Sequence, residues 1–195
     1  TEVVEETLDL AVRKLADHTE AGALGAKQIG EDGLTQRSVR GFPSVAGIFG
    51  ALTGLGKFFP AIDSYQMLRL DYDKEQTVPQ PMGTFLLFRR QALEAVGDPH
   101  KPFDESFPIF FNEVDLLYRM NKAGWKCVYA PTVVVKHFGG ASTKQTRESM
   151  IWESHNSLIR YFRKHHPSWL NGILALIIKL AALVRAKGVH VGFQS

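Results

Sequence analysis

The chain has 195 residues, 45% apolar and 22% charged, with a formal net charge of +3. That length suits one domain with a real core, or a domain with an appendage, and the balance excludes a disordered or low-complexity protein. One cysteine, Cys127, excludes an internal disulfide and fits a reducing compartment.

The charge is uneven. Residues 144–195 carry eight Lys or Arg against two acids, while the first 143 residues carry 15 against 18. A basic, apolar tail on a mildly acidic body points to an anionic lipid surface. No aromatic run interleaved with Lys and Arg favours nucleic acid, and none is expected as a partner. No signal peptide opens the chain, which starts at Thr1 in a helical pattern, so a piece of a longer protein is expected.

In chain order, Val4, Leu8, Ala11, Val12 and Leu15 recur at helical spacing and predict a helix over 1–17. AGALGAKQI (21–29) reads as a short buried strand, GEDG (30–33) as a turn, and 34–43 as a second extended piece. Residues 45–60 are apolar but hold four glycines. They read as a loosely structured segment packed on the body, or as a flap near lipid or substrate. VPQPMGTFLLFR (78–89) reads as a turn into a buried strand, and 91–96 as a short helix stopped by Gly97. Asn112 to Ala123 is the clearest helix, with Asn112 a candidate N-cap and Gly124 a stop. Two strands, 126–130 and 133–137, are expected around a Pro131 turn. Helices follow over 146–165 and 169–184.

The last of these helices places Gly172, Ala175, Lys179, Ala182 and Ala186 on one narrow stripe. Sixteen residues with a lysine are short for a membrane span. They suit a helix lying in a membrane interface or docked on an apolar partner. RYFRKHHP (160–167) supplies basic and aromatic groups suited to headgroups, so peripheral membrane contact is expected through 160–187.

Glu113 is the candidate general base. It lies near a helix N-terminus in an apolar run (Phe107, Ile109, Phe110, Phe111), where burial and the helix dipole pull its pKa in opposite directions. An acid at a helix start is also an ordinary dipole or cap residue. Asp115 and Arg119 form an i,i+4 pair with a structural role, and Asn112 supports the same turn. His137 ends a strand ahead of Gly139 and Gly140, a position open to metal or phosphate contact or to a structural hydrogen bond. Ser142, Thr143, Lys144 and Arg147 follow and suit an anionic group. There is no Ser/His/Asp order, Cys/His zinc spacing, P-loop or GxGxxG.

Taken together, these segments resemble the C-terminal half of a family 2 GT-A glycosyltransferase of the rhamnosyltransferase-like kind. The resemblance runs through TEVVEETLDLAVRKLADHTEAGALGAKQIGEDG, then VPQPMGTFLLFRRQALEAVGDPHKPFDESF, then NEVDLLYRMNKAGWKCVYAPTVVVKHFGGAST. It implies an α/β chain forming the acceptor-side half of a GT-A fold, a small mixed sheet flanked by helices. Residues 1–143 would be this partial catalytic domain and 144–195 a basic helical extension. The nucleotide-binding half, with its Asp-x-Asp metal motif, is expected before Thr1.

Residue by residue, the resemblance puts the catalytic base on Glu113, where the family has aspartate. It puts a possible metal ligand on His137 and the small pair bordering the acceptor on Gly83 and Thr84, with Asp115 structural. Ser142, Lys144 and Arg147 would contact phosphate. The implied reaction is inverting transfer from a dTDP- or UDP-linked sugar to a glycan or lipid-linked acceptor. A Mg²⁺ or Mn²⁺ ion would assist it, at the inner face of the cytoplasmic membrane, in bacterial surface polysaccharide synthesis. The chain alone is expected to bind nucleotide-sugar poorly and to be inactive. The rival expectations are a non-enzymatic membrane-binding scaffold and a metal-dependent hydrolase using Glu113 and His137.

Overall fold

The computed structural model describes residues 1–3, 5–138 and 147–187. It divides into two compact units, Thr1–Asp104 with Glu113–Gly139, and Glu105–Asn112 with Gly140–Ser195.

The first unit opens with β1 (Glu2–Val3) and α1 (Glu5–Asp17), followed by β2 (Ala21–Ile29), the predicted buried strand. Next come β3 (Val39–Arg40), α2 (Val45–Thr53) and two 3-10 turns at Leu55–Lys57 and Pro60–Ile62. Short strands β4 (Gln76–Val78), β5 (Gln80–Pro81) and β6 (Leu86–Phe88) lead to α3 (Arg90–Glu94), α4 (Asn112–Lys122) and β7 (Lys126–Lys136). The main sheet runs β1-β7-β2-β6 with β4 also on β7, and β3 pairs with β5 in a separate ribbon. β2 and β7 are parallel, and the other pairings are antiparallel.

Alternation along the central strands builds a layer on each sheet face. Leu24, Ala26, Val128 and Ala130 meet Ala11 and Leu15 of α1. Ala23, Cys127 and Tyr129 turn the other way and meet Leu116, Leu117 and Met120 of α4. The approach of α4 is close: a Cβ on Gly22 would lie 2.6 Å from both Ala92 Cβ and Met120 Cε. Arg89 locks α1 to the sheet, donating from Nη2 to the Leu15 and His18 carbonyls and from Nε to that of Ala21.

Three expectations are corrected. β7 is one strand of 11 residues, not two around a Pro131 turn. The ladder slips between Ala26 opposite Ala130 and Lys27 opposite Val134, so Pro131, which cannot donate, falls within an irregularity of a continuous strand. Residues 45–53 are a helix rather than loose chain. Ser44 caps it by accepting from the Gly47 N–H at 3.1 Å, and Gly54 ends it at φ +71°. Also, the opening helix begins at Glu5, after β1 pairs with Val135 and Lys136.

In the second unit, α5 (Arg147–His165) packs against α6 (Asn171–Ala186). Ala175, Ile178 and Ala182 are the buried residues of α6, while Gly172 and Lys179 of the predicted small stripe are exposed. Leu158, Ile159, Tyr161 and Phe162 are the matching buried positions of α5. No described helix is long and apolar enough to cross a membrane.

Candidate active site

α4 carries Glu113 and Asp115 in its first turn and Arg119 and Lys122 in its last, a distribution that complements the helix dipole. Gly124, at φ +91°, turns the chain out of the helix and into β7. Just before α4, Phe110 and Phe111 have φ of +59° and +63°. Two consecutive non-glycine residues in this region cost on the order of 1–3 kcal/mol each. Such strain is concentrated where a chain delivers functional groups, and here Asn112 and Glu113 come next.

Glu113 is partly buried. Burial raises its carboxyl above its ordinary pKa, and this outweighs the backbone N–H groups of Glu113, Gly83 and Val114, which pull the other way. A carboxyl whose pKa is raised by burial and that is held by fixed donors suits a general base. Gly83 belongs to the turn between β5 and β6. A Cβ added there would lie 3.3 Å from Glu113 Cγ and 3.4 Å from Cδ. The two predicted residues therefore meet, and glycine at 83 keeps a side chain from pressing on the carboxyl. Thr84 follows in the same turn, half-buried.

Asp115 is fully buried, and Arg119 Nε donates to its Oδ2 at 2.9 Å. The same guanidinium donates to the Val96 carbonyl at 3.0 Å and the Pro102 carbonyl at 2.6 Å. The pair ties the helix that bears Glu113 to the loop after α3. Asn112 is the first residue of α4.

Tyr65 was missed in the sequence. Burial raises its phenol pKa, the Arg40 charge lowers it, and the Glu113 charge raises it. Gly41 N–H donates to the Tyr65 carbonyl at 2.9 Å. A Cβ at Gly41 would lie 1.7 Å from the Ser64 carbonyl oxygen, and one at Gly47 would lie 2.9 Å from Tyr65 Cβ. Glycine at 41 and 47 is thus the sequence trace of Tyr65's seat, legible only once the approach is seen.

His137 sits in a different neighbourhood. Its N–H donates to the Ile29 carbonyl, its own carbonyl accepts from Gln36 Nε2, and its Nδ1 is 3.3 Å from Thr1 Oγ1. Burial lowers its pKa, favouring the neutral imidazole a metal requires. Among the described residues, no three His, Cys, Asp or Glu side chains are grouped to hold a metal. The residues described do not make a metal site by themselves, and His137 offers at most one ligand. Ser142 and Lys144 lie outside the described residues, as does the side chain of Arg147, the first residue of α5.

A mixed sheet with helices on both faces, a carboxylate at a helix N-terminus and a glycine turn against it frame the comparison with known proteins. The family model described as "Glycosyltransferase like family 2" matches residues 14–157. The chain belongs to glycosyltransferase family 2. Its mixed α/β architecture is that of a GT-A domain of the family. It is also similar to N-acetylglucosaminyl-diphospho-decaprenol L-rhamnosyltransferase from two Mycobacterium tuberculosis strains, CDC 1551 / Oshkosh and ATCC 25618 / H37Rv. Each is 34% identical over 168 residues, covering 80% of this chain and 52% of the relative. The chain thus spans about half the length of the curated relatives it matches.

Proposed function

We propose that this family 2 chain forms the acceptor side of an inverting glycosyltransferase that uses a nucleotide-sugar donor. The observation that carries the proposal is Glu113, a carboxyl of raised pKa at the start of α4, with Gly83 leaving room beside it. Glu113 takes the proton from an acceptor hydroxyl. The oxygen forms a bond to the anomeric carbon as the bond to the nucleoside diphosphate breaks on the opposite face, so the configuration inverts. Three backbone N–H groups and the Asp115–Arg119 pair hold the base in place. A divalent cation in the intact enzyme would draw its ligands from beyond the described residues, joined at most by His137, and no step here depends on it.

The relatives' name supports a rhamnose-like sugar and a lipid-diphosphate-linked acceptor, to which the proposal adds a dTDP- or UDP-linked donor and a place in surface polysaccharide synthesis. The proposal places the enzyme at the inner face of the cytoplasmic membrane, and α6 supports the membrane contact alone. Ile173, Leu176, Ile177 and Leu180 are all more than half exposed, and Trp169 is 86% exposed. The same face would serve a non-enzymatic membrane module, a role compatible with catalysis. The hydrolase alternative has no supporting ligand group among the described residues.

The test is transfer by the full-length enzyme from a panel of nucleotide-sugars to a polyprenyl-diphosphate-linked acceptor, with the product's anomeric configuration read by NMR. Inverted product supports the proposal, and retained configuration or hydrolysis alone refutes it. Calorimetry on the 195-residue chain is expected to show no micromolar nucleotide-sugar binding.

A further inference from the structure

The segment from α2 to the second 3-10 turn exposes apolar side chains that the site does not use. Val45 and Phe49, one helical turn apart on α2, are 59% and 54% exposed, and Phe58 and Phe59 in the following turn are 75% and 56% exposed. The platform beneath them is fixed. A Cβ on Gly50 would lie 2.1 Å from the Ile62 carbonyl oxygen, so α2 rests directly on the second turn. Arg69 donates to the carbonyls of Gly56 and Lys57 and to buried Asp63, pinning the first turn.

Between Asp32 and Asp63 the sequence carries charge of one sign. Residues 33–62 contain Arg37, Arg40 and Lys57 and not one Asp or Glu, within a first 143 residues that are acidic on balance. None of these three cations is in an ion pair among the described residues. Exposed phenylalanines on a rigid turn, with exposed Lys57 beside them and half-exposed Arg69 on the turn's carbonyls, complement a surface that is apolar within and anionic at its edge.

We infer that the α2 platform, led by Phe58 and Phe59 with Lys57, enters the headgroup region of a bilayer carrying anionic lipids. This is a second contact, on the unit that holds the base. It is linked to the site through Gly47, which seats Tyr65 beside the charge of Glu113. Its purpose rests on the reading of a lipid-linked acceptor: a base held at a fixed height above the headgroups meets a sugar emerging from them.

The experiment places an environment-sensitive nitrobenzoxadiazole label on Phe59→Cys, and separately on Phe58→Cys, in the full chain, where native Cys127 is buried. Vesicles of phosphatidylcholine with phosphatidylglycerol, and of phosphatidylcholine alone, are added without donor or acceptor. The inference expects a blue shift at both labels on anionic vesicles, weakened about tenfold in affinity by Lys57→Glu. Three results overturn it: no shift at 58 or 59 while a label on Leu176→Cys of α6 does shift; equal shifts on neutral vesicles; or a concentration-dependent shift without vesicles, which marks a second copy of the chain. An acceptor without a lipid would appear in the transfer assay and leave these readings unchanged.

Discussion

Two arginine–carboxylate pairs in this chain have the same spacing and the same length but different surroundings. Arg119 Nε meets Asp115 at 2.9 Å and Arg90 Nε meets Glu94 at 2.9 Å, both at i,i+4. Asp115 is fully buried, whereas Arg90 and Glu94 are 65% and 48% exposed. Arg119→Ala removes the cation from a buried carboxylate and three donors from Asp115, Val96 and Pro102. Breaking a buried pair in this way costs about 3–5 kcal/mol, a large share of a typical domain's stability. Arg90→Ala is expected to cost about 0–0.5 kcal/mol, because water and salt screen the pair. Urea unfolding of the full chain, followed by circular dichroism, gives both values. Asp115→Leu with Arg119→Met should recover most of the loss, since it leaves no orphaned charge. Equal losses for Arg119→Ala and Arg90→Ala would refute the claim that burial makes the α4 pair structural.

Two further predictions concern the site and the helical unit. Gly83→Ala pushes a methyl to 3.3 Å from Glu113 Cγ. It should lower kcat/KM of the full-length enzyme about tenfold or more while changing stability by less than about 1 kcal/mol, as steady-state transfer and urea melts will show. Burial lowers the pKa of His155 on α5, so the folded state binds this proton less readily than the unfolded state. Its contribution is therefore present above the ordinary histidine range and lost as pH falls through it, and His155→Leu should flatten the loss of thermal stability between neutral and mildly acidic pH.

Much of the fold is legible along the chain because its cues are local. The apolar run 21–29 is β2, and α4 announces itself through acids first, bases last and Gly124 after. What escaped detection depends on contacts distant in sequence. The glycines of 45–60 look like helix breakers, yet Gly47 and Gly50 lie within α2 where Tyr65 and Ile62 come too close for a side chain. Pro131 looks like a turn because its neighbours' slipped register is invisible in one strand alone. At the site, Glu113 and Gly83 could be named from likeness to the family, but their contact required the fold. Tyr65 left only the glycines at 41 and 47 as its trace, and these point to it only once the fold brings them together.

The account rests on Glu113 acting as the base. Its raised carboxyl should give kcat/KM an acid limb above the ordinary glutamate range, with activity lost as pH falls through it and the base takes up a proton. Glu113→Gln keeps the size of the side chain and removes this chemistry. In the full-length enzyme, nucleotide-sugar binding should survive, the limb should vanish and transfer should fall about 10²–10⁴-fold. Turnover near that of the native enzyme would contradict the assignment.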